Sequence, residues 1–158
     1  MSRIIRFVHM KKEEIELAKK FLDKLENFIR VETSVKLFPP QEYINEVVEE
    51  AIREYAKASR ISIETAREIM RKYKIIDMII NNLAKRIDIV VEFDSEIWLV
   101  EVKDKLRPSG IGELFTYLYW YKKLYKPTKP VRLVYVVHER DVMIEEVCKY
   151  YNIKIIYI

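Results

Sequence analysis

Apolar and polar positions alternate with a period of two over residues 86–103, RIDIVVEFDSEIWLVEVK. Ile87, Ile89, Val91 and Phe93 stand against Asp88, Val90 and Glu92. Past Asp94-Ser95, Trp98, Val100 and Val102 stand against Ile97, Leu99, Glu101 and Lys103. Two such runs around an Asp-Ser break predict a β-hairpin. With the turn centred on Asp94-Ser95, Phe93 pairs with Glu96. Counting back along both strands then sets Asp88 opposite Glu101 and Arg86 opposite Lys103.

Elsewhere the period is mostly helical. Residues 11–29 carry Ile15, Ala18, Phe21, Leu22, Leu25, Phe28 and Ile29 on one face, which predicts an amphipathic helix. Residues 1–10 form a short apolar-basic run suited to an extra edge strand. Pro39-Pro40 break the chain, and a second helix is expected over 41–58 through Ile44, Val47, Val48, Ala51, Ile52 and Tyr55. Ser62 suits the cap of a third. The apolar stretch 74–81, KIIDMIIN, fits either that helix's tail or a strand. A strand is the reading favoured, because it gives the hairpin a buried neighbour.

After the hairpin, Pro108 and Ser109 suit a helix start, running to about residue 123. VRLVYVV at 131–137 reads as a strand buried on both faces. A helix over 141–151 and a last strand, IKIIYI, follow. The alternation of strands and helices predicts an α/β fold, in a single domain over 1–158. Within it, 1–73 is expected to be mostly helical and 74–158 to form the core.

Composition narrows the setting without deciding it. The 29 Lys+Arg against 25 Asp+Glu give a net charge of +4, compatible with a polyanionic partner. High charge content with two glycines and one glutamine matches the bias of thermophile proteins, so a thermophilic archaeon or its virus is the expected host. The single Cys148 excludes an internal disulfide, a Cys-based zinc site and a four-cysteine iron–sulfur cluster. No apolar run reaches membrane-spanning length and no secretory leader is evident. The expectation is a soluble, cytoplasmic protein with no membrane partner.

The opposed carboxylates carry the candidate chemistry. Directly paired side chains on a two-stranded ladder have Cβ atoms roughly 4.5–5.5 Å apart, and like charges there repel. Asp88 and Glu101 therefore need a shared proton or a cation between them. Hard oxygen ligands of this kind suit Mg²⁺ or Mn²⁺, with the Val102 carbonyl as a further ligand, and such an ion activates water against a phosphodiester. Lys103, on the same face, is placed to orient that water or to offset charge in the transition state. Glu101 and Lys103 also admit a plainer reading as solvent-facing residues of a half-exposed strand.

These residues resemble the PD-(D/E)XK nuclease superfamily, whose signature is an Asp on one core strand and Asp/Glu-x-Lys on the next. RIDIVV and IWLVEVK match it through Asp88, Glu101 and Lys103, and the resemblance covers roughly 74–158. It implies a restriction-endonuclease-like core, a mixed central sheet flanked by helices, with a helical N-terminal region. It also implies metal-dependent, endonucleolytic hydrolysis of DNA by a RecB-like or archaeal resolvase-like member. Ile87 stands where the superfamily often has proline. The RecB-like branch often carries Gly-x-x-Asp and Gln-x-x-x-Tyr. Here Lys85 replaces the glycine, while Glu113 and Tyr117 occupy the second pattern, with Glu for Gln. A helix-dipole carboxylate and a core tyrosine account for those two equally. Many members add a Glu on the first core helix. Among the glutamates before Asp88 only Glu14 fits, although a carboxylate favoured by the helix dipole explains its position as well. If Glu14 is that acid, residues 41–73 are a helical insertion.

Nucleic-acid contacts are expected at Lys105 and Arg107, directly after the site, and at the helix start by Ser109-Gly110. The aromatic residues Tyr117, Tyr119, Trp120, Tyr121 and Tyr125 read more naturally as core or an interface than as a base-stacking platform. His138 reads as structural. The resemblance further implies a homodimer, since cutting both strands usually takes two sites. Two alternatives stay open: a catalytically inactive nucleic-acid-binding or assembly protein on the same fold, and an RNA-processing nuclease.

Overall fold

Three consecutive strands after residue 85 alternate or run apolar, and their burial follows that pattern in the computed structural model, which describes residues 2–158, with side chains from residue 5 onward. The hairpin strands are β3 (Lys85–Glu92) and β4 (Ile97–Lys105), and the next strand is β5 (Val131–Glu139). Before them come β1 (Ser2–Ile4), α1 (Lys12–Asp23) and β2 (Arg30–Leu37). After them come α5 (Pro108–Tyr125), α6 (Val142–Tyr150) and β6 (Lys154–Tyr157), with α2 (Gln41–Ser59), α3 (Ile63–Lys72) and α4 (Ile75–Leu83) lying between β2 and β3. The strands form one mixed sheet in the order β1-β2-β3-β4-β5-β6. β3 and β4 are antiparallel, while β4, β5 and β6 run parallel.

The hairpin register is the expected one. Ile89 pairs with Val100, Val90 with Leu99, Val91 with Trp98 and Glu92 with Ile97. The Phe93 N–H donates to the Glu96 carbonyl at 2.9 Å, closing the turn on Asp94-Ser95.

Apolar side chains leave both faces of the sheet. On one, Leu17, Ala18, Phe21 and Leu22 of α1 pack on Val91, Val100, Val102, Val134 and Val136. On the other, Leu114 and Tyr117 of α5 and Cys148 of α6 pack on Leu99, Leu133, Tyr135 and Val137. β5 contributes to both, which is why its sequence is a near-continuous apolar run.

Three expectations are corrected. Residues 74–81 belong to helix α4, not to a strand. Its isoleucines at 75, 76, 79 and 80 follow a helical period and pack on the α2/α3 core, yet none of its residues is fully buried. The first amphipathic helix stops at Asp23, and residues 30–37 form a strand. That strand is irregular: Ser34 takes a left-handed φ of 53°. Across it the chain switches face, Val31 joining the core under α1 and Val35 and Leu37 the opposite one, as a β-bulge does.

The boundary expected at residue 73 also falls elsewhere. The chain divides into a unit of 1–37 with 86–158 and a second of 38–85. The second unit is helical, built on Ile44, Val48, Ile52 and Ala56 of α2 against Ala66 and Met70 of α3. Ser62 caps α3 by accepting the Thr65 N–H at 3.1 Å, and Arg67 clasps Glu49 with two hydrogen bonds.

Candidate active site

Antiparallel pairing of β3 and β4 is recorded as far as Ile89–Val100. One residue further out, the side chain of Asp88 takes over the backbone's role: its Oδ2 accepts the Val102 N–H at 2.8 Å. On β4, Glu101 and Lys103 share a face, as residues two apart on a strand must. Lys103 Nζ lies 2.7 Å from Glu101 Oε1 and 3.3 Å from Glu113 Oε2 of α5.

Glu101 is the residue under most electrostatic stress. It is 1% exposed, and neither carboxylate oxygen has a hydrogen-bond partner among the described residues. The ammonium is close enough for an ion pair, but the approach is not that of a directed hydrogen bond. Burial, then the Glu113 carboxyl and the Asp88 charge, push Glu101 up to about 10. Asp88 is raised to about 6, chiefly by burial, against the opposing pull of the Val102 N–H; Glu14 and Glu113 add repulsion. Burial works against the Lys103 ammonium, yet contact with Glu101, Glu113 and Asp88 outweighs it and holds the proton firmly. Tyr117, buried on the inner face of α5, is kept neutral by burial and by the Glu101 and Asp88 charges.

Asp88, Glu101, Lys103, Glu113 and Tyr117 are thus brought together. Glu14 joins them electrostatically from α1. It is 6% exposed, and its Oε2 also accepts the Lys11 N–H at 3.0 Å, so it caps the helix and faces Asp88's charge at once. Lys105 and Arg107 are differently placed. Lys105 is exposed at the end of β4, and the Arg107 guanidinium turns to Asp104 at 3.1 Å. The His138 Nδ1 lies 2.7 Å from the Ile158 main-chain oxygen.

Tyr135 is a supporting residue that its apolar strand concealed. It lies beside Glu101 in the β4–β5 ladder, fully buried. Its hydroxyl accepts the Arg107 N–H and donates to the Arg107 carbonyl, both at 3.2 Å. This fixes the start of α5 and hence Glu113 and Tyr117. Gly110 makes room for it, since a Cβ there would stand 2.1 Å from the Tyr135 hydroxyl oxygen.

Among the described residues no group of three or more His, Cys, Asp or Glu side chains is arranged to hold a metal ion. The donors here are two carboxylates and backbone. A hard divalent cation asks for no more from the protein when it keeps waters and takes oxygens from a substrate. The unpartnered buried oxygens of Glu101 fit that role. The Val102 carbonyl leaves β4 on the same edge as its N–H, the edge where Asp88 sits. Among the described residues no helix is long and apolar enough to cross a membrane. No protein-family model, no curated protein and no solved structure matches this chain.

Proposed function

We propose that this protein is a metal-dependent nuclease that hydrolyses DNA phosphodiester bonds endonucleolytically. One observation carries the reading: the Glu101 carboxylate is buried without a hydrogen bond, beside a second carboxylate and an ammonium. A carboxylate buried against a second one, with one ammonium beside it and its hydrogen-bonding capacity unfilled, is kept only at a cost, and a bound cation would offset that cost.

In this reading Asp88 and Glu101 hold Mg²⁺ or Mn²⁺ with the Val102 carbonyl. The ion supplies Lewis-acid polarisation of the phosphate and a bound water of lowered pKa. The Val102 N–H fixes the Asp88 carboxylate in orientation. Lys103, locked in its charged form, holds the attacking water and offsets negative charge gathering on the phosphorus oxygens. Glu113 steadies the ammonium from α5, and the neutral phenol of Tyr117 closes the inner wall. Glu14 adds negative charge on the Asp88 side, favouring cation uptake.

The succession α1, β2, β3, β4, α5, β5 supports a restriction-endonuclease-like core of the PD-(D/E)XK kind, with 38–85 as a helical insertion. The deciding experiment incubates the protein with single-stranded, duplex and branched DNA and with RNA, with and without Mg²⁺ or Mn²⁺. Metal-dependent DNA cleavage that Asp88→Ala and Lys103→Ala abolish is expected. Salt-dependent DNA binding without cleavage points to a binding module instead, and preferential RNA cleavage to an RNA-processing enzyme.

A further inference from the structure

A cavity of about 430 Å³ opens on the β1–β2 side of the sheet, lined by Arg6, Lys36 and Arg86 together with Thr33, Ser34 and Tyr125. Its size falls within the roughly 300–1,000 Å³ of ordinary ligand sites. All of these residues belong to the unit of 1–37 with 86–158. Three cationic side chains meet one carboxylate in the lining, that of Glu32. Glu32 already pairs with Arg30 at 2.7 Å, so the cavity keeps an excess of positive charge.

The walls are tied together by side chains rather than by a backbone ladder. Past β1, the Arg6 N–H donates to Thr33 Oγ1 at 2.6 Å, and the Ser34 hydroxyl donates to the Arg6 carbonyl at 2.6 Å. The Val8 N–H in turn donates to Ser34 Oγ at 3.0 Å. These bonds gather at the bulge where Ser34 takes its left-handed φ. The Tyr125 hydroxyl donates to the Lys36 carbonyl at 3.0 Å, tying the end of α5 to β2. The backbone that carries Arg6 and Lys36 is therefore fixed on both sides of the cavity.

Position indicates what such a cavity takes. Arg86 stands on β3 two residues before Asp88, an advance of roughly 6–7 Å along the strand. One strand of a duplex advances about 3.4 Å per phosphate along its axis, so a single backbone can reach both places. Guanidinium and ammonium groups bind phosphate through charge-assisted hydrogen bonds. Contacts of that kind set the register of a nucleic acid without reading its bases.

We propose that the cavity between Arg6, Lys36 and Arg86 holds a backbone phosphate of the DNA substrate, about two nucleotides from the phosphate at Asp88 and Glu101. This subsite rests on the nuclease reading for the identity of its ligand, and its test measures binding alone. The full chain is titrated in chelator, over a salt series, against a labelled DNA duplex and against one of its strands. Lys36→Gln and Arg86→Gln are each expected to weaken binding about 3-fold or more. Each should also lower the slope of log affinity against log salt by about 0.9 on the duplex or about 0.7 on the single strand. Arg86→Lys keeps the charge and should keep the slope. Lys57→Gln, exposed on α2 in the other unit, should keep both slope and affinity. Lys36 is exposed, and its variant is expected to retain the wild-type circular dichroism. Wild-type slopes in both glutamine variants overturn the proposal, as do an equal fall in Lys57→Gln and a wild-type chain that binds no DNA. Failure of the nuclease reading looks different: a chain that cuts nothing yet loses slope at Lys36 and Arg86 keeps the phosphate site, whereas one that cuts DNA with unchanged slopes loses it.

Discussion

The carboxylate of Asp88 accepts the Val102 N–H at 2.8 Å, just beyond the last recorded β3–β4 pair. A side chain thus continues where the backbone ladder leaves off. The backbone pairing ends there, beside Asp88, Glu101 and Val102. One residue serves both structure and the proposed chemistry, and substitutions can separate the two.

Asp88→Ala is expected to abolish metal-dependent cleavage and to cost about 1–3 kcal/mol of stability, because the buried Val102 N–H loses its acceptor. Asp88→Asn keeps an acceptor oxygen and loses the negative charge. It should therefore lose cleavage with a much smaller drop in melting temperature. Cleavage assays paired with thermal melts check both, and an active Asp88→Ala variant removes Asp88 from the site.

Glu101 gives a signed pH dependence. Its folded pKa, about 10, lies above the ordinary carboxylate value near 4.5. Its contribution to stability is therefore fully present below the unfolded pKa and is lost as pH rises towards the folded one. Lys103 is raised as well, but from an ordinary value near 10.5, so its contribution is constant through neutral pH. In chelator, Glu101→Gln should be more stable than wild type at pH 8, by about 1–3 kcal/mol, with the gap closing towards pH 4. Mg²⁺ should raise the melting temperature of wild type and leave that of Glu101→Gln unmoved. Parallel melts with and without metal measure this; a wild-type advantage at pH 8 in chelator contradicts it.

Lys103 competes with any cation for Glu101 Oε1, from which it lies 2.7 Å. Lys103→Met is accordingly expected to bind Mn²⁺ at least as tightly as wild type while cleavage falls about 100-fold or more. Titration calorimetry set beside single-turnover cleavage separates the two effects. Loss of metal binding in this variant would make Lys103 a structural support for the ligands instead.

The two glycines of α5 form a matched pair. A methyl at Gly110 meets the Tyr135 hydroxyl oxygen at 2.1 Å, whereas one at Gly112 meets nothing within 4 Å. Gly110→Ala should cost about 1–3 kcal/mol by overpacking, and should slow cleavage by displacing Glu113 and Tyr117. Gly112→Ala should be neutral, or stabilising by up to about 1 kcal/mol through helix propensity. Thermal melts of the two variants, side by side, check the pair.

The hairpin and its register were legible because alternation and turn chemistry agreed over residues 86–103. The opposition of Asp88 and Glu101 followed from that register alone. Helix α4 was not legible in the same way. Six apolar residues among nine suit a buried strand as well as a half-covered helix, and only the presence of α2 and α3 decides between them. In β2, buried positions 31, 33, 35 and 37 do alternate, but Thr33 is polar and the bulge at Ser34 breaks the pattern's meaning. Glu113 and Tyr117 share a helix face by spacing. That they face Glu101 depends on how α5 is seated, which Tyr135 and Gly110 determine from a strand and a helix start with no sign of site chemistry in their own letters.

The chain leaves the sheet at the end of β2, after Leu37, and returns at Lys85 on the neighbouring strand. The Ile29 N–H bonds the Glu92 carbonyl at 2.8 Å at the other end of the same two strands. Closing a loop costs free energy that grows only with the logarithm of its length, so an excursion of this size is thermodynamically cheap. Its burden is kinetic instead. β2 must find β3 across a long stretch of sequence, while β3 and β4 meet across a two-residue turn, and distant pairings form late. The hairpin bearing Asp88, Glu101 and Lys103 is thereby suited to act as an early nucleus of the sheet, with the edge that β2 supplies annealed afterwards.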